Sequence, residues 1–191
     1  MCLILLSFQE LADYKLIVAA NRDEFYSRPT APATFWENEN LLAGKDLEAG
    51  GTWMGITRDG RISMLTNYRD LSSIKDNPPS RGSLVTDYLK SEMDARHYLE
   101  QVSERGSEYN GFNIISGNVN ELHYYGNYQK GVQQIASGVH GLSNALLNTE
   151  WPKVERGKHQ LIQVTCSDFI PESLFELLKD EELAPDEALP N

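Results

Sequence analysis

The stretch Met1-Cys2-Leu3-Ile4-Leu5-Leu6-Ser7-Phe8, followed by Lys15-Leu16-Ile17-Val18-Ala19-Ala20 and then by Asn21-Arg22-Asp23-Glu24, decides how this chain is read. Two short, unbroken apolar runs bounded by polar residues are too short for typical helices and read as buried strands, Cys2 to Phe8 and Lys15 to Ala20. The six residues between them suit a hairpin connection. Setting Phe8 opposite Lys15 in an antiparallel pair places Cys2 opposite Asn21, so the charged block emerges beside the N-terminus.

The same logic extends outward. Gly50 to Thr57, an Asp59-Gly60 turn and Arg61 to Arg69 read as a second hairpin, with Thr57 opposite Arg61 and with Gly50, Gly51 and Asn67 at its open end. Gly111 to Gly117 and Glu121 to Asn127 form a third pair around an Asn118–Asn120 turn. Helices are expected over Ser83 to Lys90, from an Asp94 N-cap to Arg105 with Gly106 as the stop, after Trp151-Pro152, and after Pro171. The acidic, proline-containing tail from Glu181 is expected to fray. Hairpins with peripheral helices predict an α+β fold of antiparallel sheets layered with helices, in a single domain over residues 1–191.

Composition narrows the partners. The net charge of -11, from 28 acids against 17 bases, repels phosphate backbones and anionic lipid surfaces, so neither nucleic acid nor membrane insertion is expected. No apolar run approaches transmembrane length, and the first residues lack the basic and small-residue flanks of a signal peptide. Two cysteines without C-x-x-C spacing fit a reducing, cytoplasmic setting.

Cys2 has a simple reading as a small apolar residue opening a buried strand. Its position suggests more. Removal of Met1 leaves a residue carrying both a thiol and an α-amine of pKa about 7.7–8.0, able to serve as nucleophile and as its own base. Asn21 to Glu24 read either as a polar turn or as partners of that thiol: Arg22 to lower its pKa and Asp23 to hold the amine, with Glu24 a structural charge. Asn67 and Asn144, in short polar corners, either cap turns or supply amide N–H groups to an oxyanion. His97, His123, His140 and His159 lack metal-ligand spacing, and only His140, between Gly138 and Gly141, stands out. Trp36, Trp53 and Trp151 read as packing residues or pocket walls.

Taken together, Met1-Cys2, Ala19-Ala20-Asn21-Arg22-Asp23-Glu24-Phe25-Tyr26-Ser27-Arg28-Pro29, Ala43 to Thr57, Leu65 to Asp70, Ser80 to Val85, Gly111 to Gly117 and Gly141 to Val154 resemble the NRDE family, also called the transport and Golgi organisation protein 2 family. The resemblance implies an N-terminal nucleophile hydrolase architecture, a four-layer αββα sandwich, with Cys2 as nucleophile, Arg22 and Asp23 beside it, and Asn67 and Asn144 as amide or oxyanion contacts. It implies a distant likeness to choloylglycine hydrolases and penicillin V acylases, which cleave amide bonds with an N-terminal cysteine. Members continue into a block containing Tyr-Gly-Thr-Arg that is not found before Asn191, so a shortened C-terminus is expected, lacking strands and an arginine. The family is associated with Golgi organisation, lipid or coenzyme A metabolism and haem mobilisation. Two functions are therefore expected: a hydrolase of C–N bonds in a small acylated metabolite, needing no cofactor, or a non-catalytic haem or acyl-thioester binding protein, with Cys2 or His140 as haem ligand.

Overall fold

The computed structural model describes residues 2–70, 72–166 and 169–182. In chain order the strands are β1 (Leu3–Phe8), β2 (Leu16–Asn21), β3 (Thr30–Phe35), β4 (Leu41–Asp46), β5 (Met54–Thr57), β6 (Ile62–Asn67), β7 (Phe112–Gly117), β8 (Leu122–Gly126), β9 (Gln133–Gln134) and β10 (Gly138–Leu142). The helices are α1 (Gly82–Lys90), α2 (Ala95–Glu104), α3 (Pro152–Thr165) and α4 (Glu172–Leu177). Every strand pairing is antiparallel. The chain divides into two compact units, one made of Met1–Asp23 with Ala136–Asn191 and the other of Glu24–Ile135.

In the first unit the strand order is β10-β1-β2, which makes β1 the central strand. Leu5 and Ile17 of this sheet pack with Leu161 of α3 and Leu177 of α4. The close seat of α3 depends on Gly157, where an added Cβ would lie 2.7 Å from a Leu5 methyl. The β1–β2 register differs by one residue from the expected one: Phe8 faces Leu16 and Leu3 faces Asn21. Two forces set it. Gln9 takes φ 57° and donates its N–H to the Lys15 carbonyl at 2.7 Å, which draws Lys15 into the turn. The expected register would also have taken Ile17 off the face that Leu5 shares with the helices, because a one-residue slip exchanges the two faces of a strand.

The second unit is a seven-stranded meander, β3 to β9 in sequence order, with α1 and α2 between β6 and β7. Leu41, Ala43, Leu65, Phe112, Ile114 and Tyr125 of one sheet face bury against Leu84, Val85, Tyr88, Tyr98, Leu99 and Val102 of the two helices. The helical residues recur at the three- and four-residue spacing of an amphipathic stripe. Asp94 caps α2 as expected, accepting from the His97 N–H at 2.9 Å.

The β5–β6 register matches the sequence reading, with the Thr57 N–H bonded to the Arg61 carbonyl at 2.9 Å and the Leu65 N–H to Trp53 at 2.8 Å. The turn holds Gly60 at φ 87°, a conformation glycine adopts without strain. The β7–β8 hairpin closes on Asn118, whose side chain accepts from the Asn120 N–H at 2.8 Å. Strands β3, β4, β9 and β10 lie outside the three hairpins expected from the sequence; β10 contains two glycines and lacks a clear alternation of apolar residues. The expected fraying of the tail from residue 183 onward lies outside the described residues, as does Met1. Among the described residues no helix is long and apolar enough to cross a membrane.

Candidate active site at Cys2

Cys2 lies immediately ahead of central strand β1, so the chain leaving each neighbouring strand flanks it. On one side β2 ends at Asn21 and continues into Arg22 and Asp23. The Asp23 backbone N–H donates to Cys2 Sγ at 3.4 Å, and the same sulfur lies 3.8 Å from the Asp23 carbonyl oxygen. Asn21 is tied elsewhere: its side-chain amide donates to the Leu178 carbonyl at 2.8 Å, fastening the end of β2 to the end of α4. Asp23 therefore holds the thiol through its backbone, a route that a reading of side-chain charge does not foresee.

On the other side β10 pairs with β1 through Ile4–Leu142, which brings the following residues level with Cys2. Ser143 Oγ donates to the Cys2 carbonyl at 2.7 Å and lies 3.3 Å from Asn144 Oδ1, linking the two. Lys153, in the first turn of α3, places Nζ 3.5 Å from the same carbonyl oxygen and 5.6 Å from the Trp151 ring centre. Neither Ser143 nor Lys153 was singled out in the sequence. Their only signals there were the adjacency of Ser143 to Asn144 and of Lys153 to the Trp151-Pro152 helix start.

The structure thus brings Cys2, Asp23 and Asn144 into one cluster within the first unit, with Arg22 on the same segment as Asp23. Asn67 belongs to the second unit, at the end of β6 opposite Phe112. Glu24 behaves as a structural charge, its carboxylate accepting from the Phe25 N–H at 3.0 Å and lying 3.9 Å from Arg28. His140 is engaged at both ring nitrogens, Nε2 with the Ala136 carbonyl and Nδ1 with Asn148 Nδ2, each at 2.9 Å. The Asn148 amide can only donate to Nδ1, which assigns the proton to Nε2 and makes His140 a loop brace. Among the described residues no group of three or more His, Cys, Asp or Glu side chains is placed to hold a metal ion.

A cavity of about 260 Å³ lies in the same unit, with Leu3, Asn21, Lys153, Arg156 and Gln160 among its walls. Arg156 is bound to Asp180 at 2.9 Å and to the Glu182 carbonyl at 2.8 Å, so that end of the cavity is closed by an ion pair. The Glu182 N–H holds the Asp180 carboxyl below its ordinary value, against the opposing effect of burial and with help from Arg156.

Comparison with known proteins places these features. The family model for Transport and Golgi organisation 2 matches residues 1–191. The chain belongs to the transport and Golgi organisation 2 family. It is 41% identical to the Transport and Golgi organization 2 homolog of Mus musculus, over 99% of this chain and 76% of that protein. It is 40% identical to the Transport and Golgi organization protein 2 homolog of Homo sapiens over the same shares. Among solved structures, a Caenorhabditis elegans N-acylethanolamine-hydrolyzing acid amidase ortholog superposes with a TM-score of 0.66 at 13% identity, covering 94% of this chain and 86% of that one. At that identity the likeness is one of fold: this family member has the α+β, antiparallel-sheet architecture of the N-terminal nucleophile hydrolases.

Proposed function

We propose that this protein hydrolyses a C–N amide bond in a small acylated metabolite through an acyl-thioester on Cys2, once Met1 has been removed. The observation that carries the reading is the 3.4 Å hydrogen bond from the Asp23 N–H to Cys2 Sγ, which fixes a thiol at the head of the central strand. The fold likeness to an amidase supports it, and the cavity of about 260 Å³ supports a small-molecule substrate.

In this mechanism the Cys2 α-amine accepts the thiol proton as sulfur attacks the amide carbonyl carbon. The tetrahedral oxyanion takes hydrogen bonds from amide N–H groups, a role that falls to Asn144 within this unit, while Arg22 supplies positive charge and Asp23 orients the amine. Collapse breaks the C–N bond, and the α-ammonium returns its proton to the departing amine. Water then adds to the thioester with the α-amine as base, releasing the carboxylic acid and regenerating the thiol. No cofactor is required. In the cytoplasmic setting proposed for this chemistry, Cys2 and Cys166, neither of which is in a disulfide, stay as thiols.

Intact mass spectrometry of the purified protein tests the first requirement, since a chain that fully retains Met1 has no free Cys2 amine. An acyl-transfer probe then reads the second: an adduct on Cys2 that is absent in Cys2→Ala supports the mechanism, and labelling that persists in the variant overturns it. A second reading, favoured by the cavity alone, is binding of a small ligand such as haem or an acyl-thioester without turnover. Saturable optical titration with haem, without any probe hydrolysis, would select it.

A further inference from the structure

Asn21 ends β2 as an exposed polar residue after the apolar run Leu16-Ile17-Val18-Ala19-Ala20. Its side chain spans to another element, with Nδ2 donating to the Leu178 carbonyl at 2.8 Å. Leu178 is the C-cap of α4, where carbonyl groups have no partner within the helix, so Asn21 caps that helix from the sheet. The acceptor is itself firmly held. Leu177 packs with Leu5, Ile17 and Leu161, Leu178 packs against the same cluster, and Arg156 grips the segment that follows through Asp180 at 2.9 Å and the Glu182 carbonyl at 2.8 Å. Strand β2 stands at the edge of its sheet, and among the described residues β1 is its one strand partner. Water competes for the groups of an exposed hydrogen bond, so the Asn21–Leu178 bond contributes direction more than stability.

We infer that Asn21 is a positioning residue for the Cys2 nucleophile: tied to α4, it fixes the direction in which the chain leaves β2 and so aims the Asp23 N–H at the sulfur. The inference rests on the proposed role of Cys2 as nucleophile. The path is short. Asn21 pairs with Leu3, the neighbour of Cys2, and two residues further on the Asp23 N–H lies 3.4 Å from Sγ. A hydrogen bond donated to sulfur favours the thiolate over the thiol, and it weakens steeply as the donor swings out of line. Two residues of extended chain reach about 7 Å, so a rotation of about 10° at Asn21 carries the donor by about 1 Å. Charged groups also act on this end of the unit: Arg22 and Asp23 beyond β2, Lys153 on α3, and Asp180, Glu181 and Glu182, which line the same cavity as Asn21. Residues 143–147 after β10 carry no charge. Uncharged replacements of Asn21 leave all of these groups in place.

The test is the pH dependence of Cys2 alkylation by iodoacetamide, read at Cys2 by peptide mass spectrometry and independent of any turnover. Asn21→Leu, which keeps the size and loses the donor, is expected to raise the midpoint by about half to one pH unit. Asn21→Gln keeps the amide, on a longer side chain that an exposed position accommodates, and is expected to hold the midpoint near that of the parent. An Asn21→Leu profile that superimposes on the parent, or one that is slower at every pH with an unmoved midpoint, would overturn the inference. A Gln variant displaced as far as the Leu variant counts against it too, since the amide would then not be the cause. Should Asn21→Leu fail to fold, Asn21→Ser, too short to reach Leu178, is held to the same criteria. These outcomes stay separate from the hydrolase reading: a raised midpoint without acyl-probe turnover retains the Asn21 assignment and rejects catalysis, whereas turnover with an unmoved midpoint does the reverse.

Discussion

The Ser143 hydroxyl donates to the Cys2 carbonyl at 2.7 Å across the paired ends of β10 and β1. Ser143 is 2% exposed, and loss of its hydroxyl removes the shorter of two bonds to the Cys2 carbonyl, leaving the 3.5 Å contact with Lys153 Nζ. Ser143→Ala is expected to cost about 1–2 kcal/mol in urea unfolding and to slow Cys2 alkylation, because the residue anchoring the thiol gains freedom. An alkylation rate equal to the parent's would show that Ser143 braces the strand end without positioning the thiol.

Much of this arrangement was legible in the sequence. The two apolar runs and the NRDE block foretold that Asp23 would lie beside Cys2, and turn chemistry at Asp59-Gly60 gave the β5–β6 register to the residue. The first hairpin slipped by one because its loop has no such strong turn signal; a left-handed Gln9 and the burial of Ile17 against α3 and α4 decided it. Strand β10 was illegible because Gly138 and Gly141 interrupt any alternation and its partner, β1, is more than a hundred residues away. Ser143 and Lys153 reach the site through that long-range pairing and the seating of α3, which their adjacency in sequence to Asn144 and to Trp151-Pro152 does not by itself disclose.

Arg61 is the clasp of the helical layer in the second unit. Its guanidinium donates to the Tyr88 carbonyl at 3.0 Å and to the Met93 carbonyl at 2.7 Å, and lies 4.2 Å from the centre of the Tyr88 ring. Those carbonyls sit at the end of α1, where Tyr88 also accepts from the Ser91 N–H and hydroxyl, and in the link to α2. Arg61→Met should lower unfolding free energy by about 2–3 kcal/mol, and Arg61→Lys should recover only part of it, since an ammonium cannot reproduce the planar fork. Equal stability of the Lys variant and the parent would contradict this account.

Asp46 should contribute to the acid sensitivity of the fold. Burial works against its ionised form, but the N–H groups of Ala49 and Glu48 together with Arg28, which donates at 2.8 Å, outweigh it and hold the carboxyl below its ordinary value of 3.8. A folded-state value below the unfolded one means that the stabilisation is fully present above about pH 4–5 and disappears as pH falls through the folded value. Urea unfolding of the parent protein at about pH 6 and pH 3 should therefore show a larger acid loss than Asp46→Asn, which keeps the shape without the charge. An identical acid loss in both proteins would assign the sensitivity to other carboxylates.

Gly51 and Gly82 pack backbone against backbone, but unequally. A Cβ at Gly51 would lie 2.6 Å from the Gly82 carbonyl carbon and 2.8 Å from its oxygen, whereas a Cβ at Gly82 would meet the Thr52 carbonyl oxygen at 3.1 Å. The first clash can be relieved only by shifting the start of α1. Gly51→Ala is expected to cost about 2–3 kcal/mol, while Gly82→Ala stays near neutral because a helix propensity gain of about 1 kcal/mol offsets its milder contact. Thermal denaturation of the two variants checks the order, and a reversed order would show that the α1 start yields more easily than its backbone contacts indicate.

The segment that carries Ser143 and Asn144 is held at its far end by Asn148. This residue adopts φ 60°, donates its own N–H to the Gly141 carbonyl at 2.8 Å, accepts from the Gly141 N–H at 3.0 Å and donates from Nδ2 to His140 at 2.9 Å. Two separable terms follow: a left-handed backbone that asparagine and glycine tolerate best, and two side-chain hydrogen bonds that glycine cannot make. Asn148→Gly removes only the second and should cost about 1–2 kcal/mol; Asn148→Ala removes both and should cost about 1 kcal/mol more. Chemical denaturation measures the difference, and Cys2 alkylation measured alongside reports whether the brace reaches the thiol. If the two variants are equally stable, the left-handed conformation contributes nothing. If both melt like the parent while alkylation changes, Asn148 shapes the loop around Cys2 without stabilising the fold.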